Sequence, residues 1–99
     1  MKKWGMRFTP EVSRLVAKLH PENKRQLKQA LNELRQTSYI GKDLQEELYG
    51  FKSLRSNKYR IIYAVSEKAN YIEIYHIGRR RDVYEQFRRL LIQLRLPDK

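Results

Sequence analysis

The chain has 99 residues, 40% apolar and 33% charged, which fits a single globular domain over residues 1–99 with one modest core. Twenty-two Lys and Arg against eleven Asp and Glu give a net charge of +11, which favours polyanionic partners, nucleic acid before acidic protein and anionic membrane last. Cysteine is absent, so disulfide scaffolds and thiolate metal sites are excluded, and no apolar run reaches the ~18 residues of a membrane span.

The first ten residues, MKKWGMRFTP, hold two lysines but no apolar stretch behind them, so they do not read as a signal peptide and a cytoplasmic location is expected. Trp4 to Phe8 reads as a short strand. Thr9-Pro10 is a helix start, with the threonine as cap and the proline where its missing N–H costs nothing. Val12, Leu15, Val16 and Leu19 follow at helical spacing. His20-Pro21 breaks that helix and opens a second, whose apolar stripe is Leu27, Ala30, Leu31 and Leu34. So short a break predicts an αα-hairpin lying on a sheet. Ser38 to Leu48 reads as a loop of mixed charge.

From Gly50 the period changes to two. Phe51–Arg55, Lys58–Val65 and Asn70–Ile77 are strand-like, with connections short enough to imply an antiparallel meander. A final helix is expected from about Asp82 to Arg95, with Val83, Phe87, Leu90, Leu91 and Leu94 on one side. The order β-α-α-β-β-β-α makes an α+β domain: an antiparallel sheet, an N-terminal αα-hairpin and a C-terminal helix.

The basic excess leans to the second half: from Gly50 onward the net charge is +7, before it +4. Arg79, Arg80 and Arg81 stand side by side where the last strand meets the last helix. A solvated turn explains most such runs. Here, however, Tyr84 falls on the flank of the final helix's apolar stripe, with Arg88 one turn on and Arg80 and Arg81 one turn back. Cations that close favour a phenol's anion. Arg55 and Arg60 flank a predicted tight turn, with Lys58 between them and Lys52 just before. Basic strand ends often serve only to discourage aggregation. Arg60 differs, because it alternates with Ile62 and Ala64 and so shares an apolar face, without an acidic neighbour in sequence. An arginine so placed calls for a carboxylate or a phosphate.

Other candidates are weaker. His20 reads as a cap or solvent group, and His76, alternating with Ile72 and Ile74, as structural. Two histidines and scattered carboxylates give no metal spacing, and four glycines form no phosphate loop, so no metal or cofactor is expected. The strand tyrosines read first as packing; Tyr71 and Tyr75 are also candidates to stack unpaired bases on an open sheet face.

Two helices, then G-F-K-S-L-R-S-N-K-Y-R-I-I-Y, then I-x-H-I-G-R-R-R-D-V-Y, resemble the RelE/ParE superfamily of bacterial and archaeal toxins, the RelE branch most closely. The resemblance runs from Phe8 to about Leu91. It implies a RelE-like fold and an mRNA interferase, a metal-independent endoribonuclease that cuts mRNA in the ribosomal A site and so stops translation. Partners would be the ribosome, mRNA and a neutralising antitoxin. In this pattern Arg60 matches the arginine that holds the scissile phosphate. Arg80 matches the residue assigned to transition-state charge or leaving-group protonation. Tyr84 matches the tyrosine taken as general base or stacking group. Lys52, Arg55, Lys58, Arg79, Arg81 and Arg88 are the expected phosphate-contacting cations around them. Two departures stand out: Arg79 replaces the histidine many relatives carry after the glycine, and Ser53 stands where some carry a second lysine. The alternative is a ParE-like inhibitor of DNA gyrase that cuts nothing.

Overall fold

The computed structural model describes residues 4–38, 40–45, 48–56, 59–79 and 82–95. Its elements are β1 (Gly5–Phe8), α1 (Pro10–Ala17), α2 (Pro21–Gln36), β2 (Lys42–Asp43), β3 (Lys52–Ser56), β4 (Tyr59–Ser66), β5 (Tyr71–Arg79) and α3 (Val83–Arg95). Thr9 caps α1 as expected, its hydroxyl accepting the Val12 N–H at 3.3 Å. His20 precedes α2 without a side-chain cap bond and is exposed, so its role there is solvation.

The five strands lie in the order β1-β5-β4-β3-β2. The meander β3-β4-β5 is antiparallel, as its short connections require. Two features extend it. β1 lies parallel to β5, which the long crossover through α1 and α2 allows, so the sheet is mixed. Within the segment expected to be a loop, Lys42–Asp43 pairs with Lys52 and Ser53 as a short edge strand.

Alternation along β4 sends side chains to two cores. Ile61 and Tyr63 face the helical hairpin and pack with Val12, Leu27, Leu31 and Leu34. Ile62 faces α3 and packs with Val83, Phe87 and Leu91. The sheet is therefore covered by helices on both faces.

β5 breaks its period once. Ile62 pairs with His76 and Tyr63 with Ile74, leaving Tyr75 as an extra residue, a β-bulge. Tyr75 and His76 consequently both face α3. This corrects the reading of His76 as a member of the Ile72 and Ile74 row: its ring stacks on Phe87 at 6.2 Å and its Nε2 meets Gln86 Oε1 at 3.2 Å. Phe51, Tyr75 and Phe87 close the cluster edge to face, with centroids 4.9 Å apart for Phe51–Phe87 and 5.1 Å for Phe51–Tyr75.

Candidate functional site

Register builds the site. In the β3-β4 hairpin Ser53 lies opposite Ile62 and Arg55 opposite Arg60. On the other side of β4, Ile62 faces His76 and Arg60 faces Gly78. Directly opposed residues share a sheet face. Arg55, Arg60 and Gly78 thus form one row, and Ser53, Ile62 and His76 the next, both on the α3 side.

Gly78 lets α3 come down onto these rows. A Cβ there would stand 3.0 Å from Gln86 Oε1 and 3.1 Å from Val83 Cγ2, both in the first turn of the helix. Val83, wholly buried, is the foot of α3, and Tyr84 follows it. The phenol of Tyr84 then leans over the sheet. Arg60 Nη1 donates to its oxygen at 2.7 Å, and Ser53 Oγ lies 3.0 Å from that same oxygen. The Arg60 guanidinium carbon is 5.5 Å from the centre of the Tyr84 ring.

Arg60 is only half-exposed, yet among the described residues it has no carboxylate partner, and its Nε is buried with no hydrogen bond. A buried donor left without an acceptor costs about 1–3 kcal/mol, more when charged. A guanidinium holding a neutral phenol on one prong and nothing on another is short of an anion. Arg55, exposed on the adjacent strand, is paired opposite Arg60, and it also borders α2 near Gln29 and Glu33. A guanidinium fork short of an anion suits a phosphate in a flexible chain.

The other cations divide. Lys52 lies opposite Tyr63 and Arg79 opposite Tyr59, in rows that belong to the hairpin face, so the fold does not bring these two together with Arg60. Lys52 pairs there with Asp43, its neighbour on β2, at 2.5 Å. Arg88 stands one turn beyond Tyr84 and reaches Glu85 at 3.4 Å. Lys58, Arg80 and Arg81 lie outside the described residues.

Two other phenols are held away from ionisation. Burial pushes Tyr63 up to about 12, against a lowering hydrogen bond from the Gly41 backbone and with a further upward push from the Asp43 carboxylate. Burial also raises Tyr75, with Glu73 and Tyr71 adding in the same direction.

Gly78 is a member that reading the sequence missed, and Ser53 was noted there only as a departure from a lysine, with no place in the site. A hairpin signal was available: residues equidistant from the turn pair, so Arg55 falls opposite Arg60 and Ser53 opposite Ile62. Nothing in the sequence said that a small hydroxyl at that position would meet a tyrosine 31 residues away.

A mixed sheet with a helical hairpin on one face and a single helix on the other is an α+β fold shared with small toxins of known structure. The toxin of the RelBE2 toxin–antitoxin complex from Mycobacterium tuberculosis superposes with a TM-score of 0.73 at 27% identity, over 80% of this chain and 100% of that one. The isolated RelE toxin of Escherichia coli gives 0.68 over 89% of this chain and 98% of its own; at 19% identity that likeness concerns the fold alone. The family model described as "ParE toxin of type II toxin-antitoxin system, parDE" matches residues 6–84, and the chain belongs to this RelE/ParE family of type II toxins. A curated relative, Toxin RelE of Mycobacterium tuberculosis, is 40% identical over 45 residues, so the match spans about half of either chain, 46% of each.

Proposed function

We propose that this toxin is an endoribonuclease that enters the ribosomal A site and cuts mRNA there through the substrate's own 2′-hydroxyl. The observation that carries the reading is the Tyr84 hydroxyl held at 2.7 Å by Arg60, an arginine whose Nε is buried and unpartnered. Tyr84, as its phenolate, takes the proton of the 2′-hydroxyl and becomes the phenol. The freed oxygen attacks the adjacent phosphorus, the bond from phosphorus to the 5′-oxygen breaks, and that oxygen takes up a proton from water. The products are a 2′,3′-cyclic phosphate and a 5′-hydroxyl. Arg60 and Arg55 hold the phosphate and stabilise its added negative charge, which is the largest catalytic contribution in such a site. Arg80 is assigned to the leaving oxygen on the family resemblance; an arginine, titrating above ~12, serves there by charge more than by giving a proton. The ribosome supplies orientation, so few side chains suffice.

The same cationic face gives the toxin its antagonist. An antitoxin with an acidic segment is the expected partner, in line with the toxin–antitoxin complex among its structural relatives.

Primer extension on mRNA with translating ribosomes tests the proposal. Codon-phased cuts are expected from the native chain, and a loss of about a hundredfold or more in rate from Arg60→Ala or Tyr84→Phe. Full activity in both variants would remove the site. A second reading, inhibition of DNA gyrase, is favoured by the match to a ParE family model. Inhibited supercoiling without mRNA cuts would establish it in place of the first.

A further inference from the structure

Ser53 is 5% exposed, and its hydroxyl lies 3.0 Å from the Tyr84 oxygen, its only side-chain hydrogen-bond partner among the described residues. The donors around that oxygen can be counted. Arginine carries N–H groups only, so the Arg60 bond must be accepted by Tyr84. A neutral phenol has a single hydrogen, and Ser53 Oγ is the acceptor within reach of it. Serine differs from arginine in being able to reverse: its hydroxyl accepts in one rotamer and donates in another.

We infer that Ser53 is a positioning residue for the cleavage, a reversible hydrogen-bond partner that accepts from the Tyr84 phenol and donates to its phenolate. This rests on the reading of Tyr84 as the base. When the phenol has lost its proton, the Ser53 hydroxyl turns its hydrogen toward the oxygen, and two donors, Arg60 and Ser53, then face the negative charge. They fix two directions around that oxygen and leave the remaining lone pair for the 2′-hydroxyl. When Tyr84 takes the substrate's proton, no atom of Ser53 is gained or lost; its contribution is orientation. The position suits the task because β3 is a packed strand, and Ser53 sits opposite the fully buried Ile62, so its Cβ has little freedom.

The role predicts a specific pattern in single-turnover cutting of ribosome-bound mRNA. Ser53→Ala is expected to lower kcat about tenfold or more with KM unchanged, the effect of one hydrogen bond to a charged oxygen. Ser53→Thr keeps the hydroxyl and suits a strand, and is expected to recover the rate to within about threefold. In a Tyr84→Phe background, Ser53→Ala is expected to cost nothing more, because its partner atom is already gone. Circular dichroism melting of each variant separates a folding defect from a kinetic one. Wild-type kcat in Ser53→Ala, or the same tenfold fall in both backgrounds, would overturn the inference while leaving Tyr84 in place. A wild-type rate for Tyr84→Phe itself would overturn the base reading and the Ser53 role together.

Discussion

Tyr63 shows how far one hydroxyl can order a segment. Its side chain crosses the hairpin-side core fully buried, and its oxygen ends in the loop before β2. There it accepts the Gly41 N–H at 2.9 Å and donates to the Ser38 carbonyl at 3.0 Å. Position 41 must be glycine for the approach, since a Cβ would come within 2.9 Å of the Ser53 carbonyl oxygen as well as meeting the phenol. The loop so held leads into β2, which pairs beside Lys52 and Ser53, so this phenol supports the strand that carries the site. Tyr63→Phe leaves both backbone groups without their partner and is expected to cost about 1–3 kcal/mol at neutral pH. The penalty should depend on pH in a defined direction. The folded chain keeps the Tyr63 proton up to about 12, whereas an unfolded tyrosine loses it near 10. Its contribution is therefore whole below pH 10 and is lost as pH climbs through 12. Urea unfolding at pH 9 and 11 should show the gap between native and Tyr63→Phe chains narrowing by roughly 1.4 kcal/mol. A gap that stays constant would mean that the buried phenol is not what holds the loop.

Among the elements, α3 decides whether there is a site at all. It rests on Val83, Phe87 and Leu91, and its first turn meets the sheet at Gly78. A methyl at Gly78 must displace Val83 or Gln86 by a few tenths of an ångström. Tyr84, next to Val83, would then lift from Arg60, where the bond is already only 2.7 Å long. Gly78→Ala is expected to lower the melting temperature modestly, by about 1 kcal/mol of stability, and to reduce cleavage by tenfold or more. Cleavage that falls no further than the folded fraction would show that α3 has slack. The helix itself was legible in the sequence, because Val83, Phe87, Leu90 and Leu91 recur at helical spacing, and so was Tyr84 on the flank of that stripe. Arg60 was legible for the same kind of reason, since two-residue alternation with Ile62 put a cation on an apolar face. His76 was misplaced because a bulge is a local insertion of one residue, and periodicity alone cannot see it. Lys52 and Arg79 looked like neighbours of Arg60 because charge in sequence ignores the pleat; register puts them in the other rows. The parallel pairing of β1 with β5 joins residues some 66 positions apart, as Gly5 with Tyr71, and no local signal marks it.

At the scale of the whole molecule the net charge of +11 acts before any single contact forms. It repels a second copy of the chain and draws RNA and acidic protein from a distance. The ion pairs Arg25–Glu22, Arg88–Glu85 and Arg89–Glu85 lie on exposed helix faces, where each contributes little to stability. With twenty-two basic side chains against eleven acidic ones, pairing with carboxylates cannot use up the surplus cations. If they serve RNA, binding should be governed by counterion release, with the logarithm of affinity falling linearly against the logarithm of salt at about −0.7 per phosphate neutralised on a single strand. Arg55 and Arg60, paired across the β3-β4 hairpin, are each expected to account for one such contact. Fluorescence anisotropy with a short unstructured RNA, titrated with potassium chloride, measures the slope. Arg55→Ala should reduce it by about 0.7 and weaken binding equally for every sequence, since a phosphate contact carries no base information. Arg14→Ala, on the exposed outer side of α1, should leave the slope as it was. Equal loss from both substitutions would mean that the charge acts as a diffuse field, and that the Arg55–Arg60 row is not where the strand lies.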